Sequence, residues 1–142
     1  MKKQRIPANL RRRVREQARR RCGYCLRTEE LAGERMTIEH LHPESRGGMT
    51  IESNLWLACR RCNEYKGAQT HAIDPLTGKR VRLFNPRTQD WGEHFFWDES
   101  GTEILGLTPT GRDTIAALRL NNPEIRSARR LWVAAGWWPP ET

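Results

Sequence analysis

No run of apolar residues in this chain of 142 is long enough to cross a bilayer as a helix, which excludes an α-helical membrane protein. No apolar stretch follows the opening Met1-Lys-Lys-Gln-Arg5, so no secretory leader is expected. The chain is expected to stay in the reducing cytoplasm, where structural disulfides are rare. Repeats and low-complexity tracts are absent, and the one linker candidate, Asp74 to Lys79, is short. Acidic residues are nearly missing from the first 21 positions, where Glu16 alone faces Lys2, Lys3, Arg5, Arg11, Arg12, Arg13, Arg15, Arg19, Arg20 and Arg21. Cysteine is scarce, with four in all.

What is present is positive charge. A formal net charge of +8 and a pI near 10 imply a polyanionic partner, with nucleic acid the obvious counterpart. The length suits one compact domain with room for an appended lobe. Pro7 followed by Leu10, Val14 and Ala18 at spacings of four predicts a short helix with a narrow apolar stripe. Its remaining surface is arginine. Arg11, Arg12, Arg15 and Arg19 are expected to meet phosphate through charge and bidentate geometry; the alternative is a merely solvated basic helix.

The four cysteines form two Cys-x-x-Cys knuckles, Cys22-Gly-Tyr-Cys25 and Cys59-Arg-Arg-Cys62. Two disulfides or four unrelated core thiols are the alternatives. Paired two-residue gaps in a reducing compartment favour a closed tetrahedral zinc site that holds the fold and leaves no position open for catalysis. The 33 residues between Cys25 and Cys59 exceed what a minimal zinc ribbon needs, so chemistry is expected in that insert.

Within the insert, Met36 to His42 reads as a strand ending at Pro43. Ser45-Arg-Gly-Gly48 reads as a flexible loop, Ser53 to Ala58 as the returning strand, and Arg60 to Gln69 as a short helix that Gly67 weakens. Asn63 and Lys66 share one side of that helix at i and i+3. The order strand, loop, strand, helix is a ββα-metal layout.

Glu39-His40-Leu-His-Pro43, Gly47-Gly48, Asn54-Leu55 and Cys59-Arg-Arg-Cys62-Asn63-Glu-Tyr-Lys66 resemble the HNH endonuclease family in order and spacing. The resemblance covers Cys22 to about Gly67. It implies a phosphodiester hydrolase in which His40 is the general base that takes a proton from the attacking water. Glu39 and Asn63 fall on the ligands of one divalent cation, Asn54 on the position that braces the hairpin loop, and Lys66 on a basic position suited to holding phosphate. Arg46, in the loop, joins the expected nucleic-acid contacts. Glu stands where the family more often has Asp, which adds one methylene to be absorbed. An amide oxygen as the last ligand favours a hard ion, Mg²⁺ or Mn²⁺. His42 and His94 stay open as site residues, and His71 reads as structural.

Beyond the core, His94 to Asp98 and Thr102 to Leu107 read as two strands, Arg112 to Leu120 as a helix, and Pro123 to Ala135 as a second helix closed by Gly136. Tryptophans in this half read as packing rather than base stacking. The expectation is thus an α+β chain: residues 1–75 a basic helix plus HNH core stapled by a four-cysteine zinc site, and 76–142 a β-hairpin plus two-helix extension packed on that core. The activity expected is nicking of DNA. One site cuts one strand, so a double-strand break takes a homodimer or two nicks. A non-catalytic zinc module that binds nucleic acid, and RNA as the substrate, remain open alternatives.

Overall fold

The computed structural model describes residues 5–142; Lys2 and Lys3 of the basic run lie outside the described residues. Mixed helix and sheet (α+β) is what it shows. The chain divides into two compact units, one running to Thr70 and taking in Asn85–Thr88, the other comprising His71–Phe84 and Gln89–Thr142.

In the first unit, α1 (Ala8–Gln17) follows Pro7 and buries Leu10 and Val14, the predicted stripe, which packs on the strands below. Arg19 and Arg20 then take left-handed backbone conformations with φ of 56° and 53°, which turn the chain toward the first knuckle. Helix α2 (Glu29–Ala32) starts at Thr28, whose hydroxyl accepts the Leu31 N–H, and stops at left-handed Gly33. Strands β1 (Thr37–His40) and β2 (Leu55–Ala58) pair antiparallel, with His40 opposite Leu55 and Glu39 opposite Trp56. Helix α3 (Arg60–Lys66) is capped by Cys59, whose sulfur accepts the Cys62 N–H, and ends at Gly67 with φ of 52°.

Strand β1 stops two residues before the predicted His42, and Asn54 is the reason. Its Oδ1 accepts the His42 N–H at 2.8 Å while its Nδ2 donates to the carbonyls of His42 and Met49 at 3.0 and 2.8 Å. A side chain thus replaces the ladder partner, and the loop it closes holds two short 3₁₀ turns, Glu44–Arg46 and Glu52–Asn54. A Cβ on Gly48 would collide with the His42 carbonyl oxygen, so glycine is required where the loop folds back on itself.

The second unit contains a hairpin that the sequence pattern did not suggest, β3 (His71–Ile73) with β4 (Arg80–Arg82). Asp74 to Lys79, expected as a linker, is its turn. Asp74 is fully buried there and accepts two bonds from Arg112 at 2.9 and 3.0 Å, and that guanidinium holds its carboxyl well below the usual range. After α4 (Trp91–His94) come β5 (Phe95–Trp97) and β6 (Ile104–Gly106), paired antiparallel, then α5 (Pro109–Leu118) and α6 (Pro123–Ala134). Thr108 and Asn122 cap the last two helices, accepting the N–H groups of Gly111 and Ile125. Phe95, Ile104, Leu118, Leu120 and Trp138 form the core, and Trp97 and Trp138 meet edge to face at 5.1 Å. Arg129 is fully buried in that core: it donates to the Thr102 and Leu120 carbonyls and to the Asn121 side chain while lying 5.1 Å over Trp97.

Asp113 of α5 is fully buried, with Oδ2 unpartnered among the described residues. Burial pushes its carboxyl up to about 7, against the bonds from Thr114. From roughly pH 4 upward the folded state therefore holds more protons than the unfolded one, so stability falls until pH passes about 7. Asp113→Asn is expected to remove that fall, gaining up to about 4 kcal/mol at pH 8 and little at pH 4. Urea unfolding of both proteins at the two pH values checks it.

Candidate metal centre and catalytic loop

The first knuckle is a tight turn: Cys22 N–H donates to the Arg27 carbonyl at 2.9 Å, Leu26 N–H to the Cys22 carbonyl at 3.1 Å, and Leu26 is left-handed with φ of 65°. The second knuckle is the first turn of α3. Together they bring the sulfurs of Cys22, Cys25, Cys59 and Cys62 within 4.8 Å of one another, all four buried and none in a disulfide. Cys25 and Cys59 are 3.8 Å apart. Sulfurs about 2.3 Å from a tetrahedral zinc lie about 3.8 Å from each other, so the donor set fits that ion. Burial pushes the Cys22 thiol up, while bonds from Cys22, Cys25 and Cys62 pull Cys59 far down. Four thiolates share so small a volume only around a cation, which is what a structural zinc supplies when bound.

Directly beyond this cluster, Glu39 is 3% exposed. Its Oε1 accepts the Tyr24 hydroxyl at 2.9 Å and lies 3.2 Å from Lys66 Nζ; its Oε2 has no partner among the described residues. Burial pushes the carboxyl up, and Lys66 and Tyr24 pull it back only in part. Lys66, expected to meet phosphate, is itself 4% exposed and also donates to the Leu41 carbonyl at 3.3 Å. At that burial it is the counter-ion of Glu39. Asn63 is half-buried on the same helix, and no hydrogen bond among the described residues engages its amide. A carboxylate oxygen and an amide oxygen are both hard donors of the kind that Mg²⁺ or Mn²⁺ prefers.

His40 follows Glu39 and serves other partners, as strand alternation requires. Its Nε2 lies 2.8 Å from Thr50 Oγ1 and its Nδ1 3.5 Å from Glu44 Oε1, with the side chain 12% exposed. The carboxylate is too far for a good hydrogen bond and acts as a nearby charge; the hydroxyl fixes the ring. His42 is exposed, and its Nε2 lies 3.0 Å from the Arg46 carbonyl, a contact within the loop. His94 belongs to the second unit, where Nδ1 lies 2.6 Å from the capping Thr108 hydroxyl and the ring meets Phe84 edge-on. These contacts give His94 partners within its own unit.

Among the expected nucleic-acid contacts, Arg11, Arg12, Arg19 and Arg46 are exposed. Arg15 is not available in the same way, since it is paired with Glu29 at 2.7 Å and only 14% of its side chain is exposed. The two units differ sharply in charge. The first holds 17 Lys and Arg against eight Asp and Glu, the second eight against nine, so the excess positive charge of the chain resides in the unit that carries His40.

Three side chains in this site escaped the sequence pattern: Tyr24, Glu44 and Thr50. Tyr24 left a trace, as the aromatic residue inside a knuckle. Glu44 and Thr50 left none, because they reach His40 through the conformation of an irregular loop.

Searches of curated proteins and of solved structures returned no match to this chain. The family model described as HNH endonuclease matches residues 22–69. That span contains both knuckles, the β1–β2 hairpin, its loop and α3. No helix among the described residues is long and apolar enough to cross a membrane. Residues 22–69 thus match the HNH endonuclease family model, and the cysteine cluster within that span fits the zinc-knuckle form.

Proposed function

We propose that the chain is a metal-dependent endonuclease that hydrolyses phosphodiester bonds of DNA, with His40 as general base and Glu39 and Asn63 as ligands of one Mg²⁺ or Mn²⁺ ion. The observation that carries this reading is the pairing of a held, partly accessible imidazole with a buried carboxylate that keeps one oxygen unused. His40 takes a proton from the water that attacks phosphorus, a task suited to an imidazole near neutral pH. A divalent cation, when bound, supplies charge neutralisation at the phosphate and stabilises the leaving oxygen. Asn54 keeps His40 aimed by locking the loop at His42 and Met49. Arg11, Arg12, Arg19 and Arg46 draw the polyanion to the unit through charge. Cleavage leaves 5′-phosphate and 3′-hydroxyl ends. One site nicks one strand, and a homodimer or a second nick completes a double-strand break. The reading places the protein in the reducing cytoplasm, where four thiolates stay available to zinc.

A non-catalytic module that binds nucleic acid draws support from one observation, the engagement of Glu39 by both Tyr24 and Lys66. Labelled duplex DNA and RNA of one sequence, incubated with protein and Mg²⁺, separate the readings. DNA cut to 5′-phosphate ends supports the proposal; RNA cut in preference moves the substrate class, and retention of either without cutting supports the binding module.

A further inference from the structure

Glu39 is loaded unevenly. Both the Tyr24 hydroxyl, at 2.9 Å, and the Lys66 ammonium, at 3.2 Å, engage Oε1, and Oε2 is left bare in a buried setting. Two partners on one oxygen fix the rotation of a carboxylate that would otherwise be free to turn about its last torsion. The partners come from the two knuckles. Tyr24 lies inside the first, and its backbone N–H donates to Cys22 Sγ at 3.5 Å. Lys66 lies on α3, whose first turn is the second knuckle and whose Asn63 directly follows Cys62. The cysteine cluster therefore reaches Glu39 by two short covalent paths.

We infer that Tyr24 is a positioning residue for the catalytic cation: by donating to Oε1 it turns Oε2 toward the ion, and so ties that site to the cysteine cluster. This rests on the reading of Glu39 as a cation ligand. Without the hydroxyl, Oε1 keeps Lys66 alone, the carboxylate is free to rotate, and the ammonium can share both oxygens. Outer partners of metal ligands typically set affinity by about 10–100-fold, and Tyr24 is expected to fall in that range. A tyrosine that only satisfies a buried carboxylate would affect folding and leave cation affinity alone.

The test measures Mn²⁺ binding by the electron paramagnetic resonance signal of free Mn²⁺, on full-length wild type, Tyr24→Phe and Glu39→Gln, each checked for zinc content and melting temperature. Wild type is expected to bind Mn²⁺, Glu39→Gln to lose the site, and Tyr24→Phe to bind about tenfold or more weakly with zinc retained. Equal Mn²⁺ affinity in Tyr24→Phe and wild type overturns the inference while leaving the metal-site reading intact. No Mn²⁺ uptake by wild type removes both. A second measurement covers a Tyr24→Phe protein that fails to fold: 3-fluorotyrosine at Tyr24, in a Tyr65→Phe background, reports by ¹⁹F resonance. That resonance is expected to shift as Mg²⁺ is added and to stay still in Glu39→Gln. A resonance unmoved by Mg²⁺ that demonstrably binds overturns the inference.

Discussion

Cys59→Ser is expected to unfold the first unit at ordinary temperature. Structural zinc in small domains contributes about 10–16 kcal/mol of binding free energy at neutral pH, as much as the whole stability of a typical domain. Cys59 does more than supply one sulfur. It caps α3 by accepting the Cys62 N–H at 3.4 Å, and that helix carries both Asn63 and Lys66. Serine keeps a capping oxygen but is a poor zinc ligand, so the loss falls on the metal. The three remaining thiols, buried beside one another, then have no cation to hold them as thiolates. Zinc content near zero together with a lost or strongly lowered melting transition is the expected result, and chelation of wild type by a strong zinc ligand should reproduce it. A cooperative melt at the wild-type temperature in zinc-free protein would count against the cluster as a staple.

His40→Ala is expected to lower the single-turnover cleavage rate by about 10²–10⁴-fold, the usual weight of a positioned general base. The fold should tolerate it. His40 sits at the end of β1, only partly accessible, and its two side-chain partners, Thr50 and Glu44, belong to a loop that Asn54 and Gly48 hold independently. Affinity for duplex DNA in EDTA should therefore stay within about twofold, because phosphate contacts from the exposed arginines carry binding. Weakened DNA binding of the same size as the rate loss would instead make His40 a binding residue.

Much of the first unit is legible in the sequence because its signals are local. Leu10, Val14 and Ala18 recur at helical spacing and are buried as that spacing predicts. Two Cys-x-x-Cys pairs admit few structural meanings, and the sulfurs converge. Spacing puts Lys66 on the right helix but says nothing about depth; only the fold shows it buried beside Glu39 on β1. Arg15 departs from expectation for the same reason, with Glu29 lying fourteen residues away in sequence and 2.7 Å away in space. The β3–β4 hairpin stays hidden because its strands are three residues each and its turn, Asp74 to Lys79, has linker composition. What organises that turn is a long-range bond from Arg112, 38 positions on, which no local pattern encodes.

The central claim, that this domain is a nuclease whose chemistry depends on His40, is tested most directly on supercoiled plasmid with purified wild type and His40→Ala, each in EDTA, Mg²⁺ and Mn²⁺. The account predicts open-circular product from wild type with metal, none from wild type in EDTA, and from His40→Ala with metal a nicking rate at least about a hundredfold lower. Plasmid bound but left supercoiled by wild type in every metal, or nicked equally well by a clean His40→Ala preparation, would contradict it.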